Sequence, residues 1–174
     1  MTTCVLSIGS NLGDRLARLQ AVVDALGEAV LAVSPVYETD AWGGVDQGPF
    51  LNAVLIADDP ARDAHSWLQL GQAIEADNDR VRQQKWGPRT LDVDLVCCSD
   101  GGAEVFSGTE HLTLPHPYAH ERAFVLVPWV AVDPAAELSV AGRRRPVREW
   151  LDELDPADRD GVRLTGLTLT VRGR

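Results

Sequence analysis

Lys85-Trp86-Gly87-Pro88-Arg89-Thr90-Leu91-Asp92-Val93-Asp94-Leu95 sets a basic loop, bent by glycine and proline, directly before two aspartates that alternate with apolar residues. In a strand, successive side chains point to opposite faces. Asp92 and Asp94 therefore share one face, and Leu91, Val93 and Leu95 the other. Two such carboxylates sit roughly 6–7 Å apart at Cα. That reach suits a pair of Mg²⁺ ions about 3.5–4 Å apart, clamping the oxygens of a phosphoryl group. Arg80, Arg82, Lys85 and Arg89 add the positive charge that a polyphosphate needs. The stretch points to ATP-dependent phosphoryl or pyrophosphoryl transfer.

The rest of the chain is compatible with that chemistry. Its 174 residues suffice for one domain, 1–174, with its own core. Net charge is −10, from 16 Lys and Arg against 26 Asp and Glu, so nucleic acid is not an expected partner. The first residues lack a basic n-region and no stretch is long enough to span a membrane, so no membrane association is expected. Cys4, Cys97 and Cys98 form neither a disulfide framework nor a metal knuckle. On a strand, adjacent Cys97 and Cys98 face opposite ways. A reduced, cytoplasmic protein is expected.

Pattern along the chain predicts a strand over Cys4–Gly9. A helix follows to about Ala29, opened by Asn11-Leu12-Gly13-Asp14 with Asn11 as its cap. A strand over Val30–Thr39 is interrupted by Pro35, and a Gly-rich loop covers Asp40–Pro49. Phe50–Ala57 reads as a strand, and a helix from Asp59-Pro60 to about Asn78 precedes the polar loop Val81–Arg89. Leu91–Cys98 is the fourth strand. The order β-α-β-β-α-β is that of an α+β ferredoxin-like sandwich, both helices on one face of an antiparallel sheet. Beyond it the pattern adds a Gly-rich hairpin, a proline-bracketed stretch over Leu114–Phe124, a short helix near Val147–Leu154 and a strand over Val162–Val171. Asp155–Gly161 reads as a flexible joint.

No Walker loop and no GxGxxG occurs, so a nucleotide must be held another way. Phe50 and Asn52 share a strand face; a ring beside an amide can stack on a flat heterocycle and match its hydrogen-bonding edge. Taken alone, a core Phe and a turn-satisfied Asn is the simpler reading. His116 and His120 have the spacing of a zinc pair, but Pro117 interrupts them and no third ligand follows. A proline-fixed loop presenting His116 and Arg122 to phosphates, with Phe124 as a second stacking ring, fits better. Glu75 alone reads as a solvated carboxylate.

Together these segments resemble a known family. Ser7 through Asp14, Asp46-Gln47 with Phe50-Leu51-Asn52-Ala53, Arg80-Val81-Arg82, Trp86 through Asp94, and Pro115-His116-Pro117 with His120 through Phe124 are similar to the 6-hydroxymethyl-7,8-dihydropterin pyrophosphokinases. The match runs in order from about residue 5 to 154, and residues 155–174 form a C-terminal extension. The resemblance implies a ferredoxin-like fold and transfer of pyrophosphate from ATP to the pterin hydroxymethyl group, releasing AMP. It implies two Mg²⁺ on Asp92 and Asp94, with ATP as co-substrate. Phe50 and Phe124 would sandwich the pterin, Asn52 and Thr39 would read its edge, and Trp42 and Trp86 would lie beside it, Trp86 in a mobile lid. Arg80, Arg82, Arg89 and Asp94 would be catalytic. Gln72, Glu75, Leu95, Thr113, His116 and Arg122 would join the three arginines on the ATP side. Tyr118 stands where many relatives carry Arg, Ala41 replaces a common proline, and the loop between Arg82 and Trp86 is short.

The expected partners are small molecules, and the expected state is a monomer. A two-metal phosphohydrolase or nuclease and a non-catalytic pterin- or nucleotide-binding module are the rivals. The acidic charge and the paired rings argue against the first. The aspartate pair beside an arginine cluster argues against the second.

Overall fold

The computed structural model describes residues 2–40, 48–78 and 91–172. Strand β1 (Thr2–Ser10), helix α1 (Arg15–Leu26), strands β2 (Val30–Val33), β3 (Tyr37–Thr39) and β4 (Phe50–Asp59), helix α2 (Ala64–Asn78) and strand β5 (Asp92–Asp100) form the predicted β-α-β-β-α-β unit. β1 lies between β4 and β5 and is antiparallel to both; β3 continues the sheet beyond β4, and β2 also pairs with β4. Short strand β6 (Ala103–Glu104) closes the Gly-rich hairpin on β5. Gly101 and Gly102 both have positive φ, 59° and 87°, the requirement of a tight two-residue hairpin turn.

Local chemistry moves several boundaries from their expected places. Asp14, not Asn11, caps α1: its carboxylate accepts from the Ala17 N–H at 3.1 Å. Likewise Asp63 accepts from the Ser66 N–H at 2.8 Å and starts α2, whereas Asp59 accepts from the Ala61 N–H and closes a turn before it. The anticipated strand over Val30–Thr39 is split into β2 and β3 around Pro35, as a residue without an N–H demands.

Both sheet faces are covered. Leu6, Ile8, Leu51, Leu55, Val93 and Leu95 face α1 and α2 in the larger core. Val54 and Val96 face a second core with Leu126, Trp129, Val147 and Trp150. Both predicted helices do share one face, and the additional C-terminal elements cover the other, giving three layers. The second cover is α3 (Ala123–Val132), followed by the hairpin of β9 (Glu137–Val140) and β10 (Arg143–Pro146), and then α4 (Val147–Asp152). Helix α3, AFVLVPWVAV, escapes pattern reading because it is apolar on every side and carries Pro128 inside. A shift in the β1–β5 register between Val5 and Leu6 turns both Val96 and Cys97 toward the second core.

Cys97 and Cys98 do face opposite cores. Cys98, however, sits directly across from Cys4, Cα–Cα 4.2 Å, and the two form a disulfide. The reduced reading is corrected there: residues 94 apart in sequence meet only through strand register. Burial pushes the remaining Cys97 thiol up to about 12.

A small hairpin of β7 (Ser107–Gly108) and β8 (Thr113–Leu114) precedes the turn to α3. The expected joint at Asp155–Gly161 is instead a short helix, α5 (Pro156–Asp160), capped by the Asp155 carboxylate on the Ala157 N–H with Pro at its start. The last strand, β11, is only Val162–Leu164. Gly166, at φ 79°, turns the chain out of the ladder. The described residues contain no helix long and apolar enough to cross a membrane.

Leu126→Ala, at a fully buried α3 position, is expected to lower unfolding free energy by about 2–5 kcal/mol. Phe106→Ala, at a largely exposed position, should stay within about 0.5 kcal/mol. Urea titration of both variants measures the contrast.

Candidate active site

Strand register builds the site. Because Leu51 and Ala53, Leu6 and Ile8, and Leu91 and Val93 point into the larger core, their alternates Phe50 and Asn52, Ser7 and Gly9, and Asp92 and Asp94 share the opposite face. Asn52 pairs with Gly9 and Gly9 with Asp92; in the next row, Val54 pairs with Ser7 and Ser7 with Asp94. With strands about 4.8 Å apart, Asn52 and Asp92 stand about 10 Å apart across β1. All these residues except Val54 line one cavity of about 840 Å³, walled on the far side by Arg122, Ala123 and Phe124 at the start of α3.

At one end, the buried Asn52 amide donates to the Thr39 hydroxyl at 2.6 Å. Gly9 makes room for that amide: a Cβ on Gly9 would lie 2.9 Å from Asn52 Oδ1 and 3.6 Å from the Phe50 ring. The sequence pattern ends the first strand at Gly9 and gives it no role of its own. A glycine inside a strand is the available signal of a close approach.

Charge gathers at the other end. The Arg122 guanidinium lies 3.8 Å from Asp94 Oδ2 and over the rings of Phe124 and Tyr118, at 5.7 and 5.9 Å. His116 is fixed by its N–H to the Val96 carbonyl at 2.7 Å, and its Nδ1 accepts from the Tyr118 N–H at 3.2 Å. Burial first, and the Arg122 charge second, hold His116 below its ordinary 6.5. The neutral ring then carries its proton on Nε2. His120 lies outside the cavity, edge-on to Trp150, so it makes no metal pair with His116.

Thr39, Phe50, Asn52, Asp92, Asp94, His116, Arg122 and Phe124 are therefore brought to one cavity. Gln72, Glu75, Leu95 and Thr113 do not line it. Leu95 is in the larger core, and the Glu75 carboxylate accepts the Val93 N–H at 3.1 Å. Glu75 thus braces the strand between the two aspartates. Trp42, Arg80, Arg82, Trp86 and Arg89 lie outside the described residues. Tyr118, which stands where many relatives carry Arg, also lines the cavity, and so do Asp40 and Asp158, which carried no sequence expectation of a role there.

The donor set fits Mg²⁺. Among the described residues no three His, Cys, Asp or Glu side chains gather as a metal cage. Mg²⁺ needs none, since it binds through one or two carboxylates together with substrate phosphates.

The family model for 7,8-dihydro-6-hydroxymethylpterin-pyrophosphokinase matches residues 5–134. The 2-amino-4-hydroxy-6-hydroxymethyldihydropteridine pyrophosphokinase of Mycobacterium tuberculosis is 62% identical over 94% of this chain and 90% of its own length. That of Mycobacterium leprae is 59% identical over 99% of this chain and 93% of its own, a match that takes in most of the C-terminal extension. The Aquifex aeolicus enzyme of the same name is 34% identical over 88% and 92%. Among solved structures, Plasmodium falciparum HPPK-DHPS with pteroate superposes at TM-score 0.66 and 13% identity, over 87% of this chain and 44% of that one. The likeness shows the fold, and this chain spans less than half of that fused protein. The order of strands, the face that carries Asp92 and Asp94, and these matches agree: the chain belongs to the 7,8-dihydro-6-hydroxymethylpterin-pyrophosphokinase family.

Proposed function

We propose that this pyrophosphokinase works in the cavity between the β1–β4–β5 face and the start of α3, with the pterin at the Asn52 end and ATP at the Arg122 end. The reaction transfers pyrophosphate from ATP to the hydroxymethyl group of 6-hydroxymethyl-7,8-dihydropterin, giving the pterin diphosphate and AMP in folate biosynthesis. The observation that carries the site assignment is the Asn52–Gly9–Asp92 row, which puts a heterocycle-reading amide and the carboxylate pair on one face of one cavity.

Little covalent work falls to the protein in such a transfer; positioning and charge neutralisation dominate. The hydroxymethyl oxygen attacks the β-phosphorus in line and gives up its proton to solvent, and the bond from the β-phosphorus to the bridging oxygen of the α-phosphate breaks as AMP leaves. Phe50 and Phe124 hold the ring by stacking, while Asn52 and Thr39 read its edge. Arg122, oriented by two rings and Asp94, faces the phosphates, and His116 donates from Nε2. Arg80, Arg82 and Arg89 supply the further positive charge that this otherwise acidic lining requires. Asp92 and Asp94 would hold Mg²⁺, two ions in this reading, which would supply charge neutralisation at phosphoryl oxygens. The enzyme is a single-domain monomer of the cytoplasm acting on small molecules. The Cys4–Cys98 pair, 0% and 2% exposed, is shielded from soluble reductant in the folded state.

Purified protein given ATP, Mg²⁺ and the dihydropterin should form AMP one-for-one with pterin diphosphate. ADP or inorganic phosphate instead would mean a kinase or hydrolase. Asp94→Ala should cut turnover by at least about 10²-fold with little change in melting temperature; near-normal turnover would end the metal assignment. Gly9→Ala should displace the Asn52 amide and weaken pterin binding by about tenfold, read by titration. His116 contributes a pH effect of defined sign. The unfolded chain takes up this proton at 6.5, the folded chain only at lower pH. The associated stability is therefore complete above 6.5 and declines as pH falls through the window beneath it. His116→Gln should lose less unfolding free energy than the unaltered chain between about pH 7.5 and about pH 5.5.

A further inference from the structure

The C-terminal extension reaches the cavity. Ala157 and Asp158 of α5, Gly161 that caps it, and Val162 at the start of β11 form part of its lining. Nothing assigned to the reaction so far lies in this segment. Its position is set by strand pairing: β11 runs antiparallel to β3, with Val162 opposite Thr39, Arg163 opposite Glu38 and Leu164 opposite Tyr37. β3 has only three residues, and its other edge pairs with β4, where Thr39 lies opposite Phe50 and Tyr37 opposite Asn52. Without β11 it would be a three-residue edge strand, a marginal element by itself. Thr39, whose hydroxyl holds the Asn52 amide, is therefore buried and oriented between β4 and the extension.

The same segment ties down the chain on either side of residues 41–47. Arg163 Nη2 lies 3.1 Å from Asp40 Oδ1 and 3.7 Å from Glu38 Oε1. Glu38 in turn holds Arg15 at 2.9 Å, and Arg15 donates to the Pro49 carbonyl at 2.9 Å. One chain of contacts thus links Arg163 to both Asp40 and Pro49, next to Phe50. Further on, the Thr165 N–H bonds the Val36 carbonyl, Gln20 and Thr170 exchange two hydrogen bonds, and Leu169 and Val171 pack on the larger core. On its other side the extension touches α3, the helix that carries Phe124.

We propose that residues 156–164 form the pterin-side wall of the cavity and set pterin affinity, Val162 and Arg163 positioning Thr39 and Ala157 bounding the space open to the ring. The proposal rests on the pyrophosphokinase reading of the cavity. It separates the two substrates: the wall borders the Thr39–Asn52 end, so disturbing it acts on pterin and not on ATP.

Two variants test it. Thr165 donates to Val36, so in the alternating antiparallel pattern Arg163, two residues earlier, faces Glu38 as a hydrogen-bonded pair. Arg163→Pro removes that donor together with the ion pairs and unpairs β11. Ala157→Trp, at an exposed helix position that lines the cavity, fills the space and leaves the strand intact. Fluorescence titration with 6-hydroxymethyl-7,8-dihydropterin gives its Kd directly, and steady-state assays give KM for both substrates. The expected result is pterin Kd and KM raised by at least about tenfold in both variants, with KM for ATP changed by less than about threefold. Unchanged pterin affinity in a folded Ala157→Trp, or equal shifts for both substrates, overturns the proposal. If Arg163→Pro loses its cooperative melt, Ala157→Trp decides alone. Failure of the underlying reading is distinguishable: an unaltered chain that forms no pterin diphosphate removes the reaction, and the pterin titration still reads the wall.

Discussion

β1 hydrogen-bonds along both of its edges, to β4 on one side and β5 on the other, and the site depends on those two registers holding together. A one-residue slip on either side would turn a strand's core residues outward and its site residues inward. Burial enforces the register: Leu6 and Ile8, Leu51 and Ala53, and Val93 and Leu95 all enter one core. The residues that line the cavity are what remains on the opposite face. Gly9, at the centre, is small enough for the Asn52 amide to lie over it and so joins the amide end of the cavity to the carboxylate end.

The second core has a functional consequence of its own. α3 packs on the face of the sheet that carries the site, and its first residues complete the cavity wall. Arg122 precedes that helix and is held by two aromatic rings and a carboxylate, an arrangement that limits where its charge can point. The described lining holds several carboxylates against Arg122 and a neutral His116. A polyphosphate is accommodated there only with added positive charge, which is the physical need behind the Mg²⁺ and arginine roles proposed above.

Much of this was legible in the chain because it is carried by local pattern. The alternation around Asp92 and Asp94, the shared face of Phe50 and Asn52, the break at Pro35 and the Gly101-Gly102 hairpin each follow from period-2 geometry or from the backbone limits of one residue type. Helix starts were less legible. Asn11 and Asp14, like Asp59 and Asp63, are all competent caps, and only the path of the preceding chain decides which one meets the free N–H groups. α3 was invisible to periodicity because it is apolar on every side.

What the sequence by itself determined was the chemistry on offer: a carboxylate pair on one strand face, aromatic rings beside an amide, and a cluster of cations, in an order that the pyrophosphokinase family shares. The tertiary structure alone decided which of these groups meet. Asn52 faces Asp92 across Gly9, Cys4 meets Cys98, Glu75 braces Val93 rather than lining the cavity, and Val162 reaches Thr39 across more than a hundred residues. The reason is physical. Hydrophobic period and residue type act over a few neighbouring residues, whereas strand pairing and core burial bring together segments whose separation in the chain carries no local signal.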